Sequence, residues 1–151
     1  MIVEPERISG SRMNRFLECP SSMLQDGESN YNPDNPDAQM GTACHESMAA
    51  IVDGQEPDLE AIAHNREVEI EDLRHAVWLA RKAWDEIKKW FPNPRPEFPL
   101  SGDLVKGTTD AIHTNGETMC LLDWDFGWTG TNKLNQLKCY ALAAAEMFGW
   151  P

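Results

Sequence analysis

A chain of 151 residues, 41% hydrophobic and with six tryptophans, is long enough to bury one core. Its net charge of −12 opposes broad electrostatic attraction to nucleic acid, and no run of about 18 apolar residues offers a membrane span. The first residues, Met1-Ile2-Val3-Glu4-Pro5-Glu6-Arg7, lack the basic start and apolar stretch of a signal peptide, so a cytoplasmic, intracellular chain is expected.

In chain order, Ser9 or Ser11 caps a predicted short helix through residues 12–17 that ends near Cys19-Pro20. Residues 25–37 are polar and contain prolines, and read as a loop. Residues 38–52 read as a helix that stops at Asp53-Gly54, and residues 58–64 as a short helix. The clearest helix runs from about Glu69 to Phe91, with Ile70, Leu73, Val77, Ala80, Trp84 and Ile87 at three-and-four spacing, and is ended by Pro92, Pro94 and Pro96. Strands are predicted over 97–102, 106–114 and 117–126. A last helix spans 133–148, with Leu134, Leu137, Tyr140, Ala141, Ala144 and Met147 along one face. The fold class expected is α/β (α+β), in one domain over residues 1–151. Its helical part covers 1–91 and its strand-and-helix core 96–151, with a small mixed sheet of three to four strands flanked by helices. The four cysteines, at 19, 44, 120 and 139, show no CxxC spacing and read as reduced thiols, mostly in the core.

Asn115-Gly116 is a strong hairpin signal between the last two strands. With a two-residue turn there, Asp110 faces Leu121 and Thr108 faces Asp123. Alternation then puts Asp110, Asp123 and Asp125 on one side of the hairpin. Asp110 and Asp123 become diagonal neighbours with Cβ atoms ~7 Å apart. A hard divalent cation between them would bind both, at ~2.0–2.1 Å for Mg²⁺. Uncompensated carboxylates on an apolar strand are costly, so we read this face as a metal site rather than a wet surface.

The order of motifs resembles the RecB-like, phage-type exonuclease branch of the PD-(D/E)xK nuclease superfamily. Ser9-Gly10-Ser11-Arg12 through Cys19-Pro20 resembles the opening segment of that branch. Gly41-Thr42-Ala43-Cys44-His45-Glu46 resembles its GTxxHE helix, Gly107-Thr108-Thr109-Asp110 its GxxD, and Gln136-Leu137-Lys138-Cys139-Tyr140 its QxxxY helix. Leu121-Leu122-Asp123-Trp124-Asp125 stands where the family has xxDxK. The likeness covers the chain from about Ser9 to Met147 and implies a restriction-endonuclease-like core. It also implies a metal-dependent DNA nuclease, an exonuclease, hydrolysing phosphodiester bonds for a phage or prophage inside a bacterial host. The implied metal ligands are His45, Asp110, Asp123 and the backbone carbonyl of Trp124. The implied ion is Mg²⁺ or Mn²⁺, and the imidazole favours Mn²⁺. Gln136 and Tyr140 would position a lysine or the DNA.

Two departures stand out. Position 125 is Asp where the family has the lysine that steadies the transition state. Three readings compete: an inactivating change that leaves a binding-competent nuclease fold; a substitute lysine from Lys106, Lys133 or Lys138; or Asp125 as a further ligand that shifts the site towards two cations. The first ranks highest, because the surrounding motifs are intact. The second departure is that the family adds a strand after QxxxY, whereas the sequence stops at Gly149-Trp150-Pro151. Truncation, a strand supplied by a partner chain, or a small sheet would each account for it, and an open edge favours a homo-oligomer.

Related exonucleases carry a 4Fe–4S cluster on one early and three late cysteines. Cys19 matches the first, but no cysteine trio follows Tyr140, so no cluster is expected. A zinc site through Cys19, Cys44 and His45 has no standard spacing. Residue 49 is Ala, so His45-Glu46 is not HExxH and no metalloprotease follows. His64, His75 and His113 read as surface or structural, and the tryptophans as core. Arg12, Arg15, Arg74 and Arg81 suit a DNA backbone, whereas Lys82, Lys88 and Lys89 suit a solvated helix face equally well. DNA is thus the expected partner of a nuclease. The alternative is a non-catalytic nuclease-fold protein that binds DNA or protein as a regulatory module.

Overall fold

A computed structural model describes residues 7–9, 17–18, 35–126 and 133–150. Helix α1 (Pro36–Val52) begins with an Asn35 cap whose side chain accepts from the Asp37 N–H at 3.0 Å. Pro36 takes the first helical position, where a missing N–H costs nothing, and Asp37 faces the positive helix end. The helix therefore starts inside the segment read as a loop over 25–37. Helix α2 (Leu59–Arg66) is capped by Asp58, whose Oδ1 accepts from Ala61 N–H at 3.0 Å, and it ends on Glu67 at φ 55°. Helix α3 (Ile70–Ile87) buries Leu73, Val77, Ala80 and Trp84, the predicted stripe, and then tightens into a 3₁₀ turn over Lys88–Trp90. The α-helical part thus ends four residues before Phe91.

Strands β1 (Ile8–Ser9), β2 (Arg95–Ser101), β3 (Val105–Thr114) and β4 (Met119–Leu122) form a small, open, mixed sheet in the order β1-β3-β2, with β4 also pairing β3. β1 runs parallel to β3 (Ile8 opposite Val105) and β4 antiparallel to it. Helix α4 (Leu134–Phe148) closes on Gly149 at φ 66°. The fold is mixed α/β, with four α-helices of a turn or more among the described residues. Of the short helix predicted over 12–17, only Leu17 is described, and it is helical. The link after Gly127 lies outside the described residues. No helix among the described residues is long and apolar enough to cross a membrane.

The chain divides into two compact units that interleave along the sequence, rather than meeting once between the helical and strand-rich parts. The first holds described residues 7–9, 17–18, 98–109 and 133–150. In it, α4 lies against the strand segment: the rings of Phe98 and Phe148 stack at 6.1 Å, and Glu146 accepts from the Asp103 N–H at 2.8 Å. Gly107 abuts Tyr140, and a Cβ added there would meet the ring, with Oη at 2.8 Å. Gly107→Ala is expected to cost about 1–3 kcal/mol through overpacking. Urea denaturation measures this, and an unchanged midpoint would show that Tyr140 yields freely.

The second unit holds described residues 35–97 and 110–126. Its core joins Ala43, Cys44 and Met48 of α1 to Ile62 of α2 and to the α3 stripe, closed by Phe91 and Ala111. The Trp84 and Phe91 rings meet at 5.5 Å. Three helices thus fix the strand segment that begins at Asp110, and they decide where α1 presents His45.

Candidate metal centre

The hairpin differs from the expected one in a way that preserves its faces. β3 and β4 pair Ala111 with Leu122, Ile112 with Leu121, His113 with Cys120 and Thr114 with Met119. The turn is therefore a four-residue loop, Asn115 to Thr118, not a two-residue turn at Asn115-Gly116. Asn115 explains this: its Oδ1 accepts from the N–H groups of both Glu117 (3.0 Å) and Thr118 (2.8 Å), and Gly116 takes φ 89°. The register moves by two, so no side chain changes face. Continued by one step, the ladder would place Asp123 opposite Asp110 instead of diagonal to it.

The ladder does not continue. β4 stops at Leu122, not at Phe126, because the Trp124 backbone N–H donates to Asp110 Oδ2. A side-chain carboxylate has replaced a strand partner, and residues 123–126 leave the sheet. Strand alternation therefore does not dictate the direction of Asp125, which is exposed.

Asp110 itself is 7% exposed, near the start of the buried run of β3 over residues 109–113. Its Oδ1 lies 2.7 Å from Nδ1 of His45. The register of α1 supplies that imidazole: Ala43, Cys44, Ser47 and Met48 face the core, which leaves His45 at the helix margin, half-buried. Phe126 packs edge-on against the imidazole, with ring centres 5.1 Å apart at 87°.

The third member is Glu97, on β2. One donor atom each from His45, Glu97 and Asp110 lie within 4.8 Å of one another, a cluster that could hold a metal ion. Donors on opposite sides of one cation are separated by about 4.0–4.2 Å for Mg²⁺ and about 4.6–5.2 Å for Ca²⁺. The spread suits a single divalent ion, with a small contraction for the smaller ones. An imidazole with two carboxylates also fits Mn²⁺, and the two negative charges match one 2+ ion. Glu97 has φ 46°, a left-handed backbone inside a strand, which costs a non-glycine residue about 1 kcal/mol or more.

Electrostatics tie these groups together. The Glu97 carboxyl is held above its ordinary value of 4.5, first by desolvation, then by the Asp110 charge; His45 opposes the shift and Asp123 adds to it. Asp123 therefore acts on the same site. A raised folded-state value means that Glu97 contributes stability fully below 4.5 and loses it as pH rises through the folded value. Glu97→Gln is thus expected to raise the melting temperature of the metal-free protein slightly at pH 7, with no gain at pH 4. The gain is small because the residue is exposed to screening solvent. The same change should weaken Mn²⁺ binding by about tenfold or more. Paired melts at the two pH values and a Mn²⁺ titration check both signs; destabilisation at pH 7 would contradict the charge argument.

The remaining predicted residues are placed as follows. Trp124 contributes its backbone N–H to Asp110. Gln136 and Tyr140 come together on α4, with Nε2 donating to Oη at 3.1 Å, in the first unit. Lys106, Lys133 and Lys138 also belong to that unit. Glu97 escaped the sequence reading because it stood at the edge of a predicted strand, where a charge is ordinary. The available signal was a lone acid leading the apolar alternation Phe98, Leu100.

Cys44 is next to His45 but is no ligand candidate. Its thiol is fully buried, and burial pushes it up to about 11 from 9.0. The stability it contributes is fully present below pH 9.0 and is lost towards pH 11, because the unfolded thiol ionises first. Ellman's reagent at pH 8 should label the half-buried Cys120 and Cys139 in the native protein, and Cys44 only on unfolding. Labelling of native Cys44 would show that α1 opens.

The chain matches no protein-family model, no curated protein and no solved structure.

Proposed function

We propose that this protein is a divalent-metal-dependent DNA phosphodiesterase of the RecB-like PD-(D/E)xK kind, an exonuclease in lineage, whose hydrolytic step is damped by Asp125. The observation that carries this reading is the convergence of His45, Glu97 and Asp110 within 4.8 Å, on the helix and strands that bear the GTxxHE-like and GxxD-like motifs. A restriction-endonuclease-like core, DNA as substrate and self-association through the open sheet edge belong to the same proposal.

When bound, a divalent cation draws charge from a phosphoryl oxygen and lowers the pKa of a coordinated water. The chain's own residues do the rest. His45, Glu97 and Asp110 would hold the ion, and Asp123 adds negative charge beside them. The Trp124 N–H and His45 fix the two oxygens of Asp110, so its rotamer is set before any ligand arrives. Phe126 covers one edge of the imidazole and holds its orientation. Asp125 takes the motif position of the family's cationic donor, and a carboxylate cannot donate to a developing charge. That exposed carboxylate also favours the second reading, a nuclease fold retained for binding alone.

End-labelled linear duplex, titrated with protein in Mn²⁺ and separately in EDTA, tests the proposal. Binding that requires Mn²⁺ and weakens steeply as salt rises is the expected result. No metal-dependent binding at low salt overturns it. Metal-dependent binding with no cleavage even after lysine is installed at 125 selects the second reading.

A further inference from the structure

A cavity opens in the second unit, beside the candidate metal centre. It has a volume of about 530 Å³, within the range of small-molecule sites. Its floor is apolar: Met40 of α1, Val68 between α2 and α3, and Phe126. The Cys44 thiol also lines it, fully buried and without a hydrogen bond among the described residues. Four carboxylates stand around this floor: Asp37 at the start of α1, Glu67 and Glu69 in the α2–α3 link, and Asp72 in the first turn of α3.

These four are set apart by how the neighbouring charges are used. Arg66 is spent on Glu46, Arg74 on Glu60 and Glu71, and Arg81 on Glu56. Lys82 sits over the Trp78 ring at 3.6 Å. Among the described residues, none of the four rim carboxylates has an ion-pair partner. His75, the one titratable base on the cavity, has its ring against Trp78 at 6.1 Å. An apolar floor under a rim of carboxylates that no basic side chain among the described residues pairs repels nucleic acid and anionic metabolites, and it complements the opposite chemistry.

We propose that this cavity binds a small organic cation, an amine with an aromatic or branched apolar body. The body fills the space over Met40, Val68 and Phe126, and the ammonium lies among Asp37, Glu67, Glu69 and Asp72. The rim sets specificity by charge, and the floor supplies contact area. Phe126 is shared with the His45 ring, so an occupant touches the residue that holds the imidazole. The amine site is independent of the metal, since none of its carboxylates belongs to the His45 cluster.

Phenethylammonium and its neutral counterpart 2-phenylethanol are suitable probes, titrated into the full chain in EDTA and followed by amide chemical shifts. The amine is expected to bind about tenfold tighter than the alcohol, with shifts at Val68, Ala76 and Phe126. The double variant Glu69→Gln/Asp72→Asn, both on exposed positions, should reduce the amine's affinity by about fivefold or more and leave the alcohol unchanged. Because the titration is done in EDTA, amine binding is read with no divalent ion bound, which separates this site from the metal reading. Equal affinity for amine and alcohol, or no loss in the double variant, overturns the proposal. Binding of an Arg/Lys-rich hexapeptide with no binding of the amine also overturns it, because the occupant would then be a protein segment.

Discussion

Asp125→Lys is expected to raise Mn²⁺-dependent cleavage of linear DNA by about 10²–10³-fold over the unmodified chain, the worth of one well-placed donor to a developing oxyanion. The wild type should cleave at or near background. On the proposed reading, the change would replace a repelling carboxylate by a group able to donate to phosphoryl oxygens and to orient an attacking water. Residue 125 is exposed and outside the sheet, so the substitution leaves the core untouched. Circular dichroism should therefore be unchanged. A restored protein that stays inert while the original cleaves would mean that Asp125 takes part in the chemistry, as a ligand of a second cation. Cleavage by both at equal rates would mean that a lysine from elsewhere already serves.

The second large effect concerns Asp110. Saturating Mn²⁺, at about 100 times its dissociation constant, should stabilise the wild type by about 2.7 kcal/mol, or about 5–10 °C in melting temperature for a chain of this size. Asp110→Asn should abolish that gain. It should also cost the metal-free protein about 1–3 kcal/mol. The reason lies in the two contacts of Asp110: one oxygen accepts from Trp124 N–H, and the other meets Nδ1 of His45. An amide has one acceptor oxygen, so its NH₂ must face one of these two nitrogens. Thermal melts with Mn²⁺ and with EDTA separate the two losses. Full metal-linked stabilisation in the variant would place the ion elsewhere.

The helices of the second unit were legible because their signals are local. The stripe of α3 and the Asp58 cap depend only on residues a few positions away. The start of α1 was misread for a related reason: Asn35-Pro36 is also loop chemistry, and only the following helix shows that it is a cap and a first turn. The hairpin was placed correctly but with the wrong register, because Asn115 holds two N–H groups and lengthens the loop. The shortened β4 was out of reach of pattern reasoning. What ends it is a carboxylate 14 residues away in sequence, taking the Trp124 N–H.

The site was legible in part. His45 and Asp110, both picked out in the sequence, meet although they lie 65 residues apart. Asp123 enters through its charge on Glu97. Glu97 was invisible because no periodicity predicts a left-handed residue in a strand, and its partners come from α1 and β3. Gln136 and Tyr140 pair through the helical i, i+4 spacing visible in the sequence.

A crystal soaked in Mn²⁺ and measured at the manganese absorption edge tests the central claim most directly. A single strong anomalous peak bounded by the imidazole of His45 and the carboxylates of Glu97 and Asp110 is the expected result. A fully loaded crystal with its manganese elsewhere, and with those three side chains turned away from one another, would contradict it.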